Sequence, residues 1–393
     1  MPAPFRDVYT LPRKTAFIYS DEFLSYNLGP RHPLQQRRLR MVYELLNAYG
    51  ALAPNGPIDW LPPRRATEAE VLRVHTADYV EAVRRASHDA KRSGLPGLHE
   101  NPPSQAYLSR YGIGPGDTPA FPGMDDAAAL YAGGTIQAAE LVASGEYGAV
   151  FNVAGGLHHA HPDHASGFCT FNDLAMGINV LLDRGFERVA YIDIDAHHGD
   201  GTQACFYDDG RVLTISLHQT GLFRFYPGTG FPYERGEGAG LGTAVNLPFY
   251  PFTEDDTWHE GFDAVVPDAL KRFDPQAIVL QVGADAHHGD PLTRLMLSSR
   301  GWMRAFDKLL QLSEGLPLVV TGGGGYNLRT VARLWTMVTA RCAGVALPET
   351  VPAAYADKYE ITDLWGEDGP PVEADVRQTA HSYMLEQVAL LKE

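Results

Sequence analysis

Six short apolar runs, leading into Gly, Asp or His, constrain this chain more than any other feature. They are AFIYS at 16–20, AVFNVAG at 149–155, VAYIDIDAHH at 189–198, VLTISLH at 212–218, AIVLQVGADA at 277–286 and PLVVTGGGGY at 317–326. Near-continuous β-branched runs suit strands buried on both faces. Helical patterns lie between them at 37–50, 128–145, 173–185, 258–273 and 303–315. Strands alternating with helices predict a single α/β domain, a parallel sheet covered by helices. Ligands of such sheets bind beyond the carboxyl ends of the strands, and here those ends carry the His, Asp and Gly clusters. The stretches 91–125 and 219–256, rich in Gly and Pro, read as long loops of the kind that serve a site.

Of the 393 residues, 45% are hydrophobic, enough for a large core, and the net charge is −16. No basic stripe is present, which disfavours nucleic acid as a partner. An acidic surface attracts a cationic partner, a Lys-bearing segment or a polyamine, or simply keeps the chain soluble. The three cysteines form no CxxC pair, which fits a reducing compartment. The first residues lack a signal-peptide core, and no apolar run approaches the ~18 residues of a membrane span. The expected location is therefore the cytoplasm, away from any membrane.

The run YIDIDAHHGD at 191–200 places Asp193, Asp195 and His197 at alternate positions. On an extended strand these side chains share one face. Buried carboxylates are costly unless paired or metal-bound, so two of them with a histidine point to a metal, or else to a capped helix start. The sequence DAHHGD recurs at 285–290. If the two strands are near neighbours, Asp285 joins the first cluster, and an Asp/His/Asp set leaves a zinc ion an open position for water. His287 and His288 read as ordinary polar residues at a loop start, or as ligands of a second metal.

In AGGLHHAHPDHASGFCTFND at 154–173, adjacent His158 and His159 follow a strand and two glycines. Two histidines beside an activated water can act as acid and base, or serve as ligands or core residues. His161 and His164, in a polar turn, read as bystanders. In TGGGGYN at 321–327 no Lys follows the glycines, so the phosphate-loop pattern is absent. Its Tyr326 is either a hydroxyl donor to an oxyanion or a packed strand-end residue.

These motifs stand in the same order as in zinc-dependent histone deacetylases: GGLHHA…SGFCTFND, YIDIDAHHGDG, ISLH…FYPGTG, QVGAD…GDP and GGGGYN. The chain resembles that family from about residue 15 to 340, through GPRHPLQQRRLR at 29–40 and HTADYVEAV at 75–83 as well, and is most similar to its bacterial acetoin-utilisation branch. The resemblance implies an arginase/deacetylase-like fold, an eight-stranded parallel sheet with helices on both faces. It implies a catalytic domain over 1–342 and a C-terminal extension over 343–393 that packs on it, ending in a helix at 377–392. Implied metal ligands are Asp195, His197 and Asp285, for zinc, or ferrous iron in cells. Catalytic residues are His158 and His159, supported by Asp193 and Asp200, with Tyr326. Gly167, Phe168 and Tyr226 match the walls of an acyl-lysine tunnel, Asp117 the rim carboxylate that grips substrate backbone, and Leu292 an apolar rim position. A structural potassium site is implied at Asp193, Asp195, His197, Ser216 and Leu217.

The implied activity is hydrolysis of acetyl-lysine in proteins, with an acetylated metabolic enzyme as partner. Three rivals remain. An acetylpolyamine deacetylase differs only in substrate, and apolar Leu292 disfavours it. A binuclear manganese ureohydrolase would use the second DAHHGD but has no need of the histidine pair. A non-catalytic acetyl-lysine reader would have no need of the full Asp/His/Asp set and Tyr326.

Overall fold

The computed structural model describes residues 13–93 and 102–392. Eight strands form one sheet: β1 (Thr15–Ile18), β2 (Ile58–Leu61), β3 (Ala149–Asn152), β4 (Val189–Asp193), β5 (Val212–Gln219), β6 (Ala244–Phe249), β7 (Ala277–Gln281) and β8 (Leu318–Thr321). Their order is β2-β1-β3-β8-β7-β4-β5-β6, and every neighbouring pair is parallel. The six runs read from the sequence are the six inner strands. Both strands that reading omitted are edges. β2 is short and exposes Asp59 and Trp60. β6 carries Pro248, which lacks a donor for the ladder.

The five expected helices are present as Arg37–Ala48, Met124–Ala143, Asp173–Asp183, Asp255–Phe273 and Ser299–Leu312. The helices fall into two groups that pack within themselves. Ala77–Ser93, Met124–Ala143 and Asp173–Asp183 make one layer; Arg37–Ala48, Leu328–Cys342, Ser299–Leu312 and Asp255–Phe273 make the other. Strands β3, β4 and β7 between them are buried at every position, the condition their all-apolar runs anticipated.

Two expected loops contain structure. Within 91–125 a helix runs from Pro102 to Ser109, and residues 94–101 of that stretch lie outside the described residues. The stretch 219–256 contains β6. Proline and glycine content concealed both, because tertiary packing overrode local propensity. After residue 342, helix Ala353–Tyr359 packs on Arg37–Ala48, and helix Ala374–Lys392 covers β6 and Asp255–Phe273. An edge strand covered in this way cannot template pairing with another chain. Among the described residues no helix is long and apolar enough to cross a membrane.

Candidate metal and catalytic site

The carboxyl ends of β3, β8, β7 and β4, the central four strands, open on one cleft lined by His158, His159, Phe168, Asp195 and Tyr326 among others. Asp193 is the last residue of β4, so Asp193, Asp195 and His197 do not share a strand face as their alternation suggested. The chain bends at 195–197. The bend separates their roles: Asp193 turns to His158, while Asp195 and His197 turn to Asp285.

Asp285 meets this cluster because β7 is the direct neighbour of β4. Donor atoms of Asp195, His197 and Asp285 all lie within 4.8 Å of one another, and all three residues are buried. One nitrogen, His197 Nδ1, faces two carboxylates at once, Asp195 Oδ1 at 3.1 Å and Asp285 Oδ2 at 2.9 Å. A single proton serves only one such acceptor well, whereas a divalent cation serves three donors together. The electrostatics agree. Burial and the charge of Asp195 push the Asp285 carboxyl up to about 7. Burial opposes the charged form of His197, but the two carboxylates outweigh it and raise the ring to about 10. A buried cluster that keeps protons on Asp285 and His197 beside an ionised Asp195 is one that a metal relieves by displacing them. The residues thus fit a divalent metal.

A second cluster among the described residues, His158, Asp193 and Asp195, shares a ligand with the first. There His158 Nδ1 lies 2.7 Å from Asp193 Oδ2, which also accepts the Tyr191 hydroxyl. These atoms are spent on one another. His287 and His288 join neither cluster. His287 Nδ1 accepts from Gly289 N at 3.0 Å and its Nε2 lies 3.1 Å from Ser299 Oγ. His288 Nε2 meets the Glu367 carbonyl at 3.2 Å. The sequence reading of them as ligands of a second metal therefore loses its geometric basis.

The histidine pair sits in the turn after β3. Asp173, opening its helix, accepts from Gly156 N at 2.9 Å and Leu157 N at 2.8 Å. Asn172 caps that helix by accepting from Ala175 N at 2.9 Å and donates to the His158 and Ala160 carbonyls. So fixed, His158 and His159 place their Nε2 atoms 3.0 Å apart, and His159 Nδ1 lies 2.6 Å from Asp200 Oδ1. Burial disfavours charge on both rings, but the outcomes differ. Asp193 and Asp195 overcome burial at His158 and raise it to about 9. Burial, together with the charge on His158, lowers His159 to about 4 against the pull of Asp200. The carboxylates thus favour the charged form at His158, and burial the neutral form at His159.

Tyr326 follows β8 and faces Phe168 edge-on with ring centroids 5.8 Å apart. Its backbone N donates to Asp290 Oδ2 at 2.7 Å. Burial and the nearby Asp285 and Asp195 raise its phenol well above the usual value, so it stays a donor. One of the glycines before it makes room for the acidic cluster: a Cβ on Gly324 would lie 2.1 Å from Asp285 Oδ2. At Gly167, with φ +52°, a Cβ would lie 2.2 Å from the His159 ring.

Tyr226 flanks the cleft with its ring 4.9 Å from that of His159, its hydroxyl bonded to Ser166 Oγ. Gly167 N donates to Asp117 Oδ2 at 2.7 Å, which ties the 117 loop to the turn before Phe168. Leu292 is exposed at 39%. Asp193 and Ser216 are register partners on β4 and β5, with Leu217 next along. The sequence reading passed over Gln281 and Arg38. Gln281 Nε2 donates to Asp195 Oδ2 at 2.7 Å. Buried Arg38 donates to the Gly325 carbonyl at 2.8 Å, beneath Tyr326. Each left a signal. Gln281 is the one polar residue of β7, and Arg38 occupies the buried stripe of helix Arg37–Ala48 otherwise held by Leu, Met and Val.

A histone deacetylase domain pattern matches residues 32–342. The acetoin utilization protein AcuC of Bacillus subtilis is 37% identical over 88% of this chain and 87% of its own. That of Staphylococcus aureus is 40% identical over 83% of this chain and 80% of its own. Histone deacetylase clr6 of Schizosaccharomyces pombe is 36% identical over 86% and 79%. Among solved structures, a histone deacetylase homologue from Aquifex aeolicus superposes with a TM-score of 0.81 at 29% identity, over 94% of this chain and all of that one.

Proposed function

The chain belongs to the histone deacetylase family, a family of hydrolases, and on that premise we propose that it removes acetyl groups from lysine side chains of proteins in the cytoplasm. The observation that carries the reading is geometric: His158 and His159, their Nε2 atoms 3.0 Å apart and each held at Nδ1 by its own carboxylate, stand beside a cluster of three potential metal ligands.

Asp195, His197 and Asp285 would hold zinc, or ferrous iron in cells, and that ion supplies the Lewis acidity that polarises an amide carbonyl and makes water nucleophilic near neutral pH. The chain's own groups supply the rest. His159, its Nδ1–H held by Asp200, offers Nε2 to take a proton from the attacking water. It returns that proton to the amine nitrogen as the C–N bond breaks. His158, kept charged by Asp193, stabilises negative charge developing beside it. The Tyr326 hydroxyl donates to the oxyanion of the tetrahedral intermediate. Gly167, Phe168 and Tyr226 sleeve the methylene chain of acetyl-lysine. Asp117, with Oδ2 occupied by Gly167 N, offers its other oxygen to substrate backbone. A potassium ion at Asp193, Asp195, His197, Ser216 and Leu217 would stiffen the ends of β4 and β5.

The partner we favour is an acetylated metabolic enzyme. The net charge of −16 keeps an acetylpolyamine as the second reading, since a polycation gains from the same field. Apolar Leu292 at the rim favours the peptide. Acetate release from an acetyl-lysine peptide and from an acetylpolyamine, with metal quantified, separates them. Faster release from the peptide, blocked by a hydroxamate, is expected. Preference for the polyamine would change the substrate and keep the chemistry. A fully metal-loaded protein that hydrolyses neither would overturn the reading.

A further inference from the structure

Asp200 serves two imidazoles. Its Oδ1 lies 2.6 Å from His159 Nδ1 and its Oδ2 lies 3.2 Å from His161 Nε2. His161 in turn lies flat on His164, ring centroids 4.5 Å apart and planes within 6°. The turn between them is closed by His161 N donating to the His164 carbonyl at 3.0 Å, and His164 Nδ1 lies 2.7 Å from Asp163 Oδ1. The third imidazole is thus itself held in place.

The supports of the two catalytic histidines differ. Asp193 is fully buried, and its oxygens are taken by His158, the Tyr191 hydroxyl and Asp195 N. Asp200 has no such enclosure. Side-chain exposure rises from 6% at His159 through 12% at Asp200 and 23% at His161 to 39% at His164. A carboxylate gripped through one oxygen can turn about its Cβ–Cγ bond, and the ring it supports turns with it. A donor on the second oxygen removes that freedom. Partners of this kind, one shell out from the reacting groups, matter to catalysis although they never touch substrate.

We propose that His161 is a positioning residue of this site: by gripping the second oxygen of Asp200 it fixes the plane of that carboxylate and hence the orientation of the His159 ring. Sequence position alone had marked His161 as a bystander. The kinetic side of the inference rests on the deacetylase reading above; the structural side does not.

Because His161 is partly exposed, it can be replaced without opening the core. Two full-length variants test the proposal, His161→Leu, which removes the donor, and His161→Gln, whose amide keeps one. Both are loaded with zinc to the wild-type content. On an acetyl-lysine peptide, His161→Leu should lower kcat about tenfold with KM unchanged, and His161→Gln should recover most of it. In ¹⁵N-histidine NMR spectra, the His159 Nδ1–H resonance should move or broaden in His161→Leu and stay near its wild-type position in His161→Gln. Wild-type kcat in His161→Leu would overturn the proposal, as would equal losses in both variants. If the wild-type protein releases no acetate, the deacetylase reading fails. The spectra still decide, and an unmoved His159 resonance in His161→Leu sinks the positioning role.

Discussion

Gln281 reaches across from the end of β7 to Asp195, its Nε2 donating to Oδ2 at 2.7 Å, while its own Oε1 accepts from Gly283 N at 2.7 Å. The same Asp195 oxygen accepts from Gly324 N at 2.7 Å. The Asp195 carboxylate is thus held by neutral donors from the ends of β7 and β8. Gln281→Leu removes one donor and leaves Gly283 N without a partner. Zinc affinity should fall about 10- to 100-fold, as measured by competition with a chromophoric chelator. Unchanged affinity would refute the role of this amide.

Tyr326→Phe keeps the ring packed against Phe168 and removes only the hydroxyl. Turnover should fall by ~10²–10³, with zinc content and melting temperature close to wild type. A Phe variant with near-normal kcat would remove Tyr326 from the mechanism.

Chelation of the metal should lower the melting temperature, because it returns two buried carboxylates and one imidazole to mutual compensation by protons alone. Zinc at 1,000 times its Kd restores about 4 kcal/mol by mass action. Calorimetry with and without chelator reads the shift, and metal analysis should find one tight ion per chain. Two tight ions would return the ureohydrolase reading.

His75 provides a pH test. It lies buried beneath the catalytic turn, where its Nε2 accepts from Asn172 N at 2.9 Å. Burial lowers its pKa from 6.5 to about 4. Between those values the unfolded chain binds the proton that the folded chain refuses. This contribution to stability is therefore complete above about pH 6.5, is lost progressively as pH falls towards 4, and changes no further below that. The loss is between about 3 and 4 kcal/mol at ~1.4 kcal/mol per pKa unit. His75→Gln, whose carbonyl can accept from the same N–H, should have a flatter stability curve across that interval. Denaturant titrations of metal-free protein at several pH values measure the difference, and parallel curves for the two proteins would exclude His75 as the cause.

The inner strands were legible because burial on both faces writes itself into sequence as unbroken Val, Ile, Leu and Ala. The edges β2 and β6 were not, since an edge tolerates Asp59 and Trp60 in one case and Pro248 in the other. The chemistry-bearing residues were legible for a related reason: an Asp or His at the end of an apolar run is conspicuous. Gln281 and Arg38 stood in plain view as polar residues in apolar stripes. Their partners, the Asp195 carboxylate and the Gly325 carbonyl, could not be inferred from spacing.

Which residue types arrive at the carboxyl end of the sheet is set along the chain, because each strand delivers its own final residues there whatever its neighbours are. Only the tertiary structure decided which of them meet. β7 lies beside β4 although β5 and β6 intervene in the chain, since the crossover helices, not chain order, set the strand order, and that brings Asp285 to Asp195 and His197. The bend after Asp193 then divides one alternating run between two tasks, Asp193 to a histidine and its successors to the cluster with Asp285. Hydrogen-bond geometry in folded space draws that division, and no periodicity along the chain encodes it.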